Sequence, residues 1–174
     1  TTLLRTIAGL IPPIAGSFEA PSERGEIGYI PQRLGLVTHQ TVGYNVIMGA
    51  LPRAPLWQTI LSLPGHELRQ SAREAIASVS LSDKVLEPIS ELSGGQQRRV
   101  AIARSIVQQP RLLLADECLG ELDAETAKEI IQLIQDLAKN QNMAILIVDH
   151  NPVRARTFCD RLLQIKGTRL EELE

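Results

Sequence analysis

Apolar positions in this chain follow two patterns, helical spacing in some segments and short unbroken runs in others. Leu3, Ile7 and Leu10 share one face over residues 1–10, and Pro12 and Pro13 stop that helix. Residues 16–25 are rich in turn formers, with one weak strand around Ser17 and Phe18. Ile27-Gly28-Tyr29-Ile30 reads as a buried parallel strand. Residues 41–50 suit a short helix with Val42 and Val46 inward and Asn45 exposed. Residues 51–65 hold three prolines and form an irregular arm, with a helical turn over 57–61 and Trp57 as a packing anchor. The spacing predicts a helix over 67–80 with Leu68, Ala72, Ala75, Ile76 and Val79 inward, and another after Ser93 with Val100, Ala103 and Val107 inward. Residues 111–117 form a strand buried on both faces and closed by two carboxylates. A long helix over 124–140, capped by Asp123, turns Ala127, Ile130, Ile131, Ile134, Leu137 and Ala138 inward. Residues 144–148 are a second doubly buried strand, ending at Asp149-His150. A helix over 152–159, a late strand over 160–165 and a charged, frayed tail over 169–174 complete the chain.

Composition acts by exclusion. With 174 residues and 44% hydrophobic content the chain can build one domain with a core and is not disordered. A net charge of −2 argues against nucleic acid as the main partner. No apolar run approaches the length of a membrane span, and no signal peptide is visible. Cys118 and Cys159 make no disulfide framework, which fits a reducing, cytoplasmic setting. There is no internal repeat.

The chemistry centres on Leu92-Ser93-Gly94-Gly95-Gln96-Gln97-Arg98-Arg99-Val100-Ala101-Ile102-Ala103-Arg104. A glycine loop runs straight into a helix. Gly94 and Gly95 let a ligand approach the backbone, and the helix start offers unpaired N–H groups and a positive dipole end. Ser93 adds a hydroxyl. The arrangement suits an anion such as phosphate, although a plain junction with Ser93 as N-cap uses the same residues. Beyond chemistry, the stretch resembles the signature motif of the ATP-binding cassette (ABC) ATPases.

The resemblance extends along the chain in family order. Residues 1–10 resemble the helix that leads away from the Gly-Lys of a P-loop. This likeness implies that Thr1 gives a hydroxyl to Mg²⁺ and Thr2 touches phosphate, and that the P-loop's glycines and lysine lie before this sequence. Tyr29-Ile30-Pro31-Gln32 resembles the Q-loop, whose amide reaches Mg²⁺ and the attacking water. The strand ending in Asp116-Glu117 resembles Walker B, with Asp116 holding Mg²⁺ and Glu117 polarising the water. Cys118 stands where the family usually has Pro. Gly120-Glu121-Leu122-Asp123 occupies the D-loop position, where Asp123 is a helix cap first and serves interdomain signalling at the nucleotide site second. His150 resembles the switch histidine, followed here by Asn151 rather than an acid. His39 and His66 match nothing and belong on the surface.

The resemblance implies an α/β fold, a P-loop-type parallel sheet flanked by helices, with its first strand and P-loop missing. A helical insertion occupies 41–91, and 92–174 return to the core within one ATPase domain, 1–174. It implies an ATP- and Mg²⁺-dependent hydrolase in which Ser93, Gly94, Gly95 and Gln96 act across a head-to-tail homodimer. Expected partners are transmembrane permease subunits and, indirectly, a substrate-binding protein, at the cytoplasmic face of the membrane. Residues 45–51 and 55–57 resemble the phosphonate-importer branch, while the short 16–26 segment resembles zinc-type cassettes and leaves metal-chelate import as the alternative. A soluble ABC ATPase without a transporter is the first rival. A binding-only module is the second, opposed by intact Glu117 and His150.

Overall fold

The computed structural model describes residues 1–54, 65–120, 122–167 and 169–173. Three parallel strands form the central sheet in the order β1 (Ile27–Ile30), β2 (Leu112–Asp116), β3 (Ala144–Val148). Leu113, Leu114 and Ala115 of β2 are fully buried between the outer two. A buried leucine of this kind stabilises the fold by about 1.5–3 kcal/mol. β3 departs from expectation: Ala144 is exposed and 145–148 are half-buried. Among the described residues it is the sheet's outer strand, so burial on both faces is incomplete.

The helices are α1 (Thr2–Ile7), α2 (Val42–Ala50), α3 (His66–Ser78), α4 (Gly94–Ile106), α5 (Ala124–Gln141) and α6 (Pro152–Arg156). α1 ends three residues early and buries Leu4, leaving Leu3 and Leu10 exposed. α1 lies against β2, and the residue it turns inward is Leu4, one position from the expected stripe. α2 and α3 pack on each other and on α4, and α4 also packs on β1. α2 and α4 meet at Gly49, where an added Cβ would stand 2.0 Å from the Arg104 carbonyl oxygen.

Asn45 is buried, not exposed. Its side chain accepts from the Val37 N–H at 2.8 Å and donates to the Val37 and Thr41 carbonyls, so its polar atoms are satisfied inside the core. α5 is capped by Asp123, which accepts from the N–H groups of Glu125 and Thr126. It ends at Asn142, in the left-handed conformation. α6 stops at Arg156, three residues before the expected end. Over 169–173 the tail is not frayed: β4 (Leu162–Lys166) and β5 (Arg169–Leu173) pair antiparallel, and Arg161 meets Glu172 at 2.8 Å. The charged side chains suit a two-stranded ribbon exposed to solvent. No strand forms at Ser17 and Phe18. The turn expected over 57–61 and the Trp57 anchor lie outside the described residues.

Candidate nucleotide site

Strand register assembles one corner of the site. Ile30 pairs with Ala115, so Gln32 and Glu117 each stand two residues beyond one pair. Asp116 pairs with Val148, which brings His150 to the same edge. Gln32 Nε2 donates to Glu117 Oε2 at 2.8 Å, and His150 Nε2 lies 2.7 Å from Glu117 Oε1. Both carboxylate oxygens are therefore held by side chains from other strand ends. Glu117 itself has φ +53°, a conformation L residues rarely adopt and one that collects at functional sites. Its own N–H donates to the Val148 carbonyl, and its carbonyl accepts from Gly120.

Asp116 is 1% exposed, and its Oδ1 has no hydrogen-bond partner among the described residues. The Tyr29 hydroxyl stands 3.5 Å from Oδ2, and the Thr1 amino nitrogen 3.6 Å from Oδ1. A buried carboxylate oxygen without a donor is costly unless a cation or water meets it. A hard oxygen beside a threonine suits Mg²⁺, which takes one or two carboxylates and completes its shell with phosphate and water. Among the described residues no group of three or more His, Cys, Asp and Glu could hold a metal ion. Thr2 is exposed at the start of α1, and its carbonyl accepts the Thr6 hydroxyl.

The signature residues make a second surface. Ser93 Oγ accepts from the Gln96 N–H at 3.3 Å, while Gln96 Oε1 accepts from the Ser93 N–H at 2.9 Å. This capping box starts α4. Ser93, Gly94, Gly95 and Gln96 face a groove of about 610 Å³ that Asp123 and Thr126 also line. The N–H and hydroxyl of Thr126 hold the Asp123 carboxyl below its usual range. Gly94 is exposed and nearly free of neighbours, whereas a Cβ on Gly95 would meet Thr126 Cγ2 at 2.8 Å.

Sequence reasoning missed several residues that hold these surfaces. Burial alone would raise the Asp149 carboxyl, yet bonds from Arg154 and the Asn151 N–H outweigh it and keep the carboxyl low. Arg154 grips it twice, at 2.7 and 2.8 Å, and so fixes the segment leading to His150. Arg104 donates to the Leu34 and Gly35 carbonyls beyond Gln32, and Arg98 to the carbonyls of Cys118 and Gly120. Each of these two arginines sits in the signature stretch, but nothing in its spacing tells which distant carbonyl it reaches. Cys118 is buried, and burial pushes its thiol up to about 12, so it is an inert packing group in the place of the expected proline. His39 and His66 are exposed as anticipated.

The family model described as ABC transporter matches residues 1–120. The chain belongs to the ABC transporter family. Among curated ABC relatives, the phosphonates import ATP-binding protein PhnC of Stutzerimonas stutzeri is 37% identical over 147 residues, covering 84% of this chain and 53% of that protein. PhnC of Escherichia coli O157:H7 is 33% identical over 184 residues, covering 95% and 70%. The chain thus spans about half the length of the first of these relatives. Among solved ABC structures, a transporter in an inward-facing conformation matches with TM-score 0.88 and 27% identity, covering 99% of this chain and 67% of that one. The ATP-binding cassette MJ0796, a dimer in a post-hydrolysis state with ADP and Pi, matches with TM-score 0.77 and 28% identity, covering 99% and 80%. The parallel three-stranded sheet with its helices matches these cassette structures. No helix among the described residues is long and apolar enough to cross a membrane.

Proposed function

We propose that this chain is part of the ATPase subunit of an ABC importer of phosphonate-type anions, working as a homodimer under transmembrane permease subunits at the cytoplasmic face of the membrane. The observation that carries the reading is Glu117, held between Gln32 and His150 at the end of β2 and next to Asp116 Oδ1, which accepts no hydrogen bond among the described residues. Asp116, with Thr1 and Gln32, would hold Mg²⁺, which when bound neutralises charge on the phosphates. Glu117 orients the attacking water and takes up its proton. Gln32 and His150 take one bond on each Glu117 oxygen and leave a further lone pair on both, so water can meet the carboxylate beside them. His150 faces the γ-phosphate. Thr2 adds a phosphate contact. Helices from 41–91 form an insertion that carries Ser93, Gly94, Gly95 and Gln96 to the partner's phosphate, with Asp123 at the subunit boundary.

Phosphonate as the substrate class rests on the PhnC relatives. Metal-chelate import is the second reading, supported by the inward-facing structure, which is assigned to the metal-chelate type. The test uses the full-length protein copurified with its permease and binding protein. Hydrolysis of Mg-ATP stimulated by an alkylphosphonate supports the proposal. Stimulation by a metal chelate alone replaces the substrate class, and hydrolysis independent of any permease favours a soluble ATPase.

A further inference from the structure

We infer that Arg98 is a positioning residue for Glu117 and ties the turn that carries it to the glycine turn of α4. The inference rests on the proposed role of Glu117 in hydrolysis. Arg98 Nε donates to the Cys118 carbonyl at 2.7 Å, and its Nη2 donates to the Gly120 carbonyl. These two carbonyls belong to the short turn just after Glu117. Within that turn the Gly120 N–H returns to the Glu117 carbonyl at 3.0 Å. One guanidinium therefore pins the far side of a turn whose near side is Glu117.

The hold matters because Glu117 is at φ +53°. Such a backbone persists only where its surroundings enforce it. The Val148 carbonyl fixes the Glu117 N–H, and Arg98 fixes the two carbonyls downstream. Gln32 and His150 bind only the carboxylate and leave the turn itself unheld. At its other end Arg98 rises from the second turn of α4, and its Nη1 lies 4.0 Å from where a Cβ on Gly94 would stand. The same group thus touches the turn beside Glu117 and underlies the glycine that faces the groove. A lysine could reach one carbonyl, but not both with a rigid planar fork.

The test is steady-state hydrolysis of Mg-ATP by the full-length protein bearing Arg98→Met or Arg98→Lys, each with and without Glu117→Gln. Arg98→Met keeps the apolar stem and should lower kcat by about 10- to 100-fold, the usual cost of losing a supporting contact to an active group. KM for ATP should stay within about two-fold, because the substrate is not touched. Arg98→Lys should recover only part of kcat. In the Glu117→Gln background, single-turnover hydrolysis should not fall further when Arg98 is also changed, since the two residues act as one unit. An equal fold-loss with and without Glu117 would overturn the inference, as would wild-type kcat in a folded Arg98→Met protein. Should Arg98→Met melt far below the wild type, Arg98→Lys decides, and full kcat there overturns the inference. If Glu117→Gln alone hydrolyses at the wild-type rate, the role of Glu117 itself fails. If it is inactive while Arg98→Met is fully active, only the Arg98 inference fails.

Discussion

The corner around Glu117 and the turn around Ser93 are both places where a chain reversal presents polar groups at an element's end, yet they are completed differently. At the corner, Glu117 is met by residues 85 and 33 positions away in sequence, so its geometry exists only once the parallel sheet has its register. At the signature turn, Ser93 and Gln96 satisfy each other three residues apart, so the geometry comes with the first turn of α4. The corner's side chains are engaged with one another. The glycine turn faces an open groove, and among the described residues only Arg98 Nη1 comes within 4.0 Å of where a Cβ on Gly94 would stand. A surface finished locally and left open outward suits a ligand brought from elsewhere, whereas a surface closed by long-range contacts holds its own.

The largest effect that would break this contrast comes from Glu117→Gln. In the full-length protein, turnover measured by phosphate release should fall by roughly 10²–10⁴, the range for a positioned acid–base group, while ATP binding by calorimetry survives. Wild-type turnover would remove the corner's claim to the chemistry.

The next effect sharpens the signature side. Full-length Ser93→Arg and Glu117→Gln chains should each be nearly inactive as homodimers. With independent sites, an equal mixture should regain about a quarter of wild-type activity, because half the dimers are mixed and each mixed dimer keeps one intact composite site. A crosslink from position 93 should reach nucleotide held by the partner. Labelling of nucleotide on the same chain alone would show that both surfaces serve one chain's site.

Smaller effects separate the surfaces by stability. Ser93→Ala removes the capping box and should cost about 1 kcal/mol in denaturant unfolding of the 174-residue chain. His150→Ala, at a side chain 79% exposed, should stay within about 0.5 kcal/mol. The reverse order would mean that the corner, not the turn, is the structural element.

The smallest effect is pH-dependent. The Asp149 carboxyl is held below its unfolded value, so its pairing with Arg154 stabilises the fold above pH ~4 and is lost as pH falls through the lowered folded value. Asp149→Asn should therefore cost stability at neutral pH, less than about 1 kcal/mol after solvent screening, and nothing once the carboxyl is protonated. A penalty that persists in acid would assign Asp149 a role other than charge.

Much of this was legible in the sequence, for reasons that differ between the regions. Apolar runs gave β1, β2 and β3, and Asp116 and Glu117 stood out at a strand's carboxyl end, where ligands gather in parallel sheets. Gln32 and His150 were singled out by the resemblance to the ABC ATPases, and the register then brings both to Glu117. Asp123 was legible as a cap because its partners are two and three residues away. Asn45 was not, since a buried amide is betrayed only by the loop that folds over it, here Val37. Arg98 and Arg154 were illegible for the same reason: a guanidinium's partners are carbonyls or carboxylates that the fold delivers. The β4–β5 ribbon escaped notice because its charged alternation looks like a solvated tail until Arg161 is set opposite Glu172.

Gly49 has a mechanical consequence. Where two helices touch through side chains, rotamers can yield and a displacement dies out within the contact. Here α2 lies so close to α4 that even a methyl group would strike the Arg104 carbonyl, so little compressible material separates the two backbones. Tyr44 and Met48 lie exposed on α2, and Arg104 of α4 grips the loop beyond Gln32, so a single backbone-to-backbone contact stands between the exposed residues of α2 and that loop.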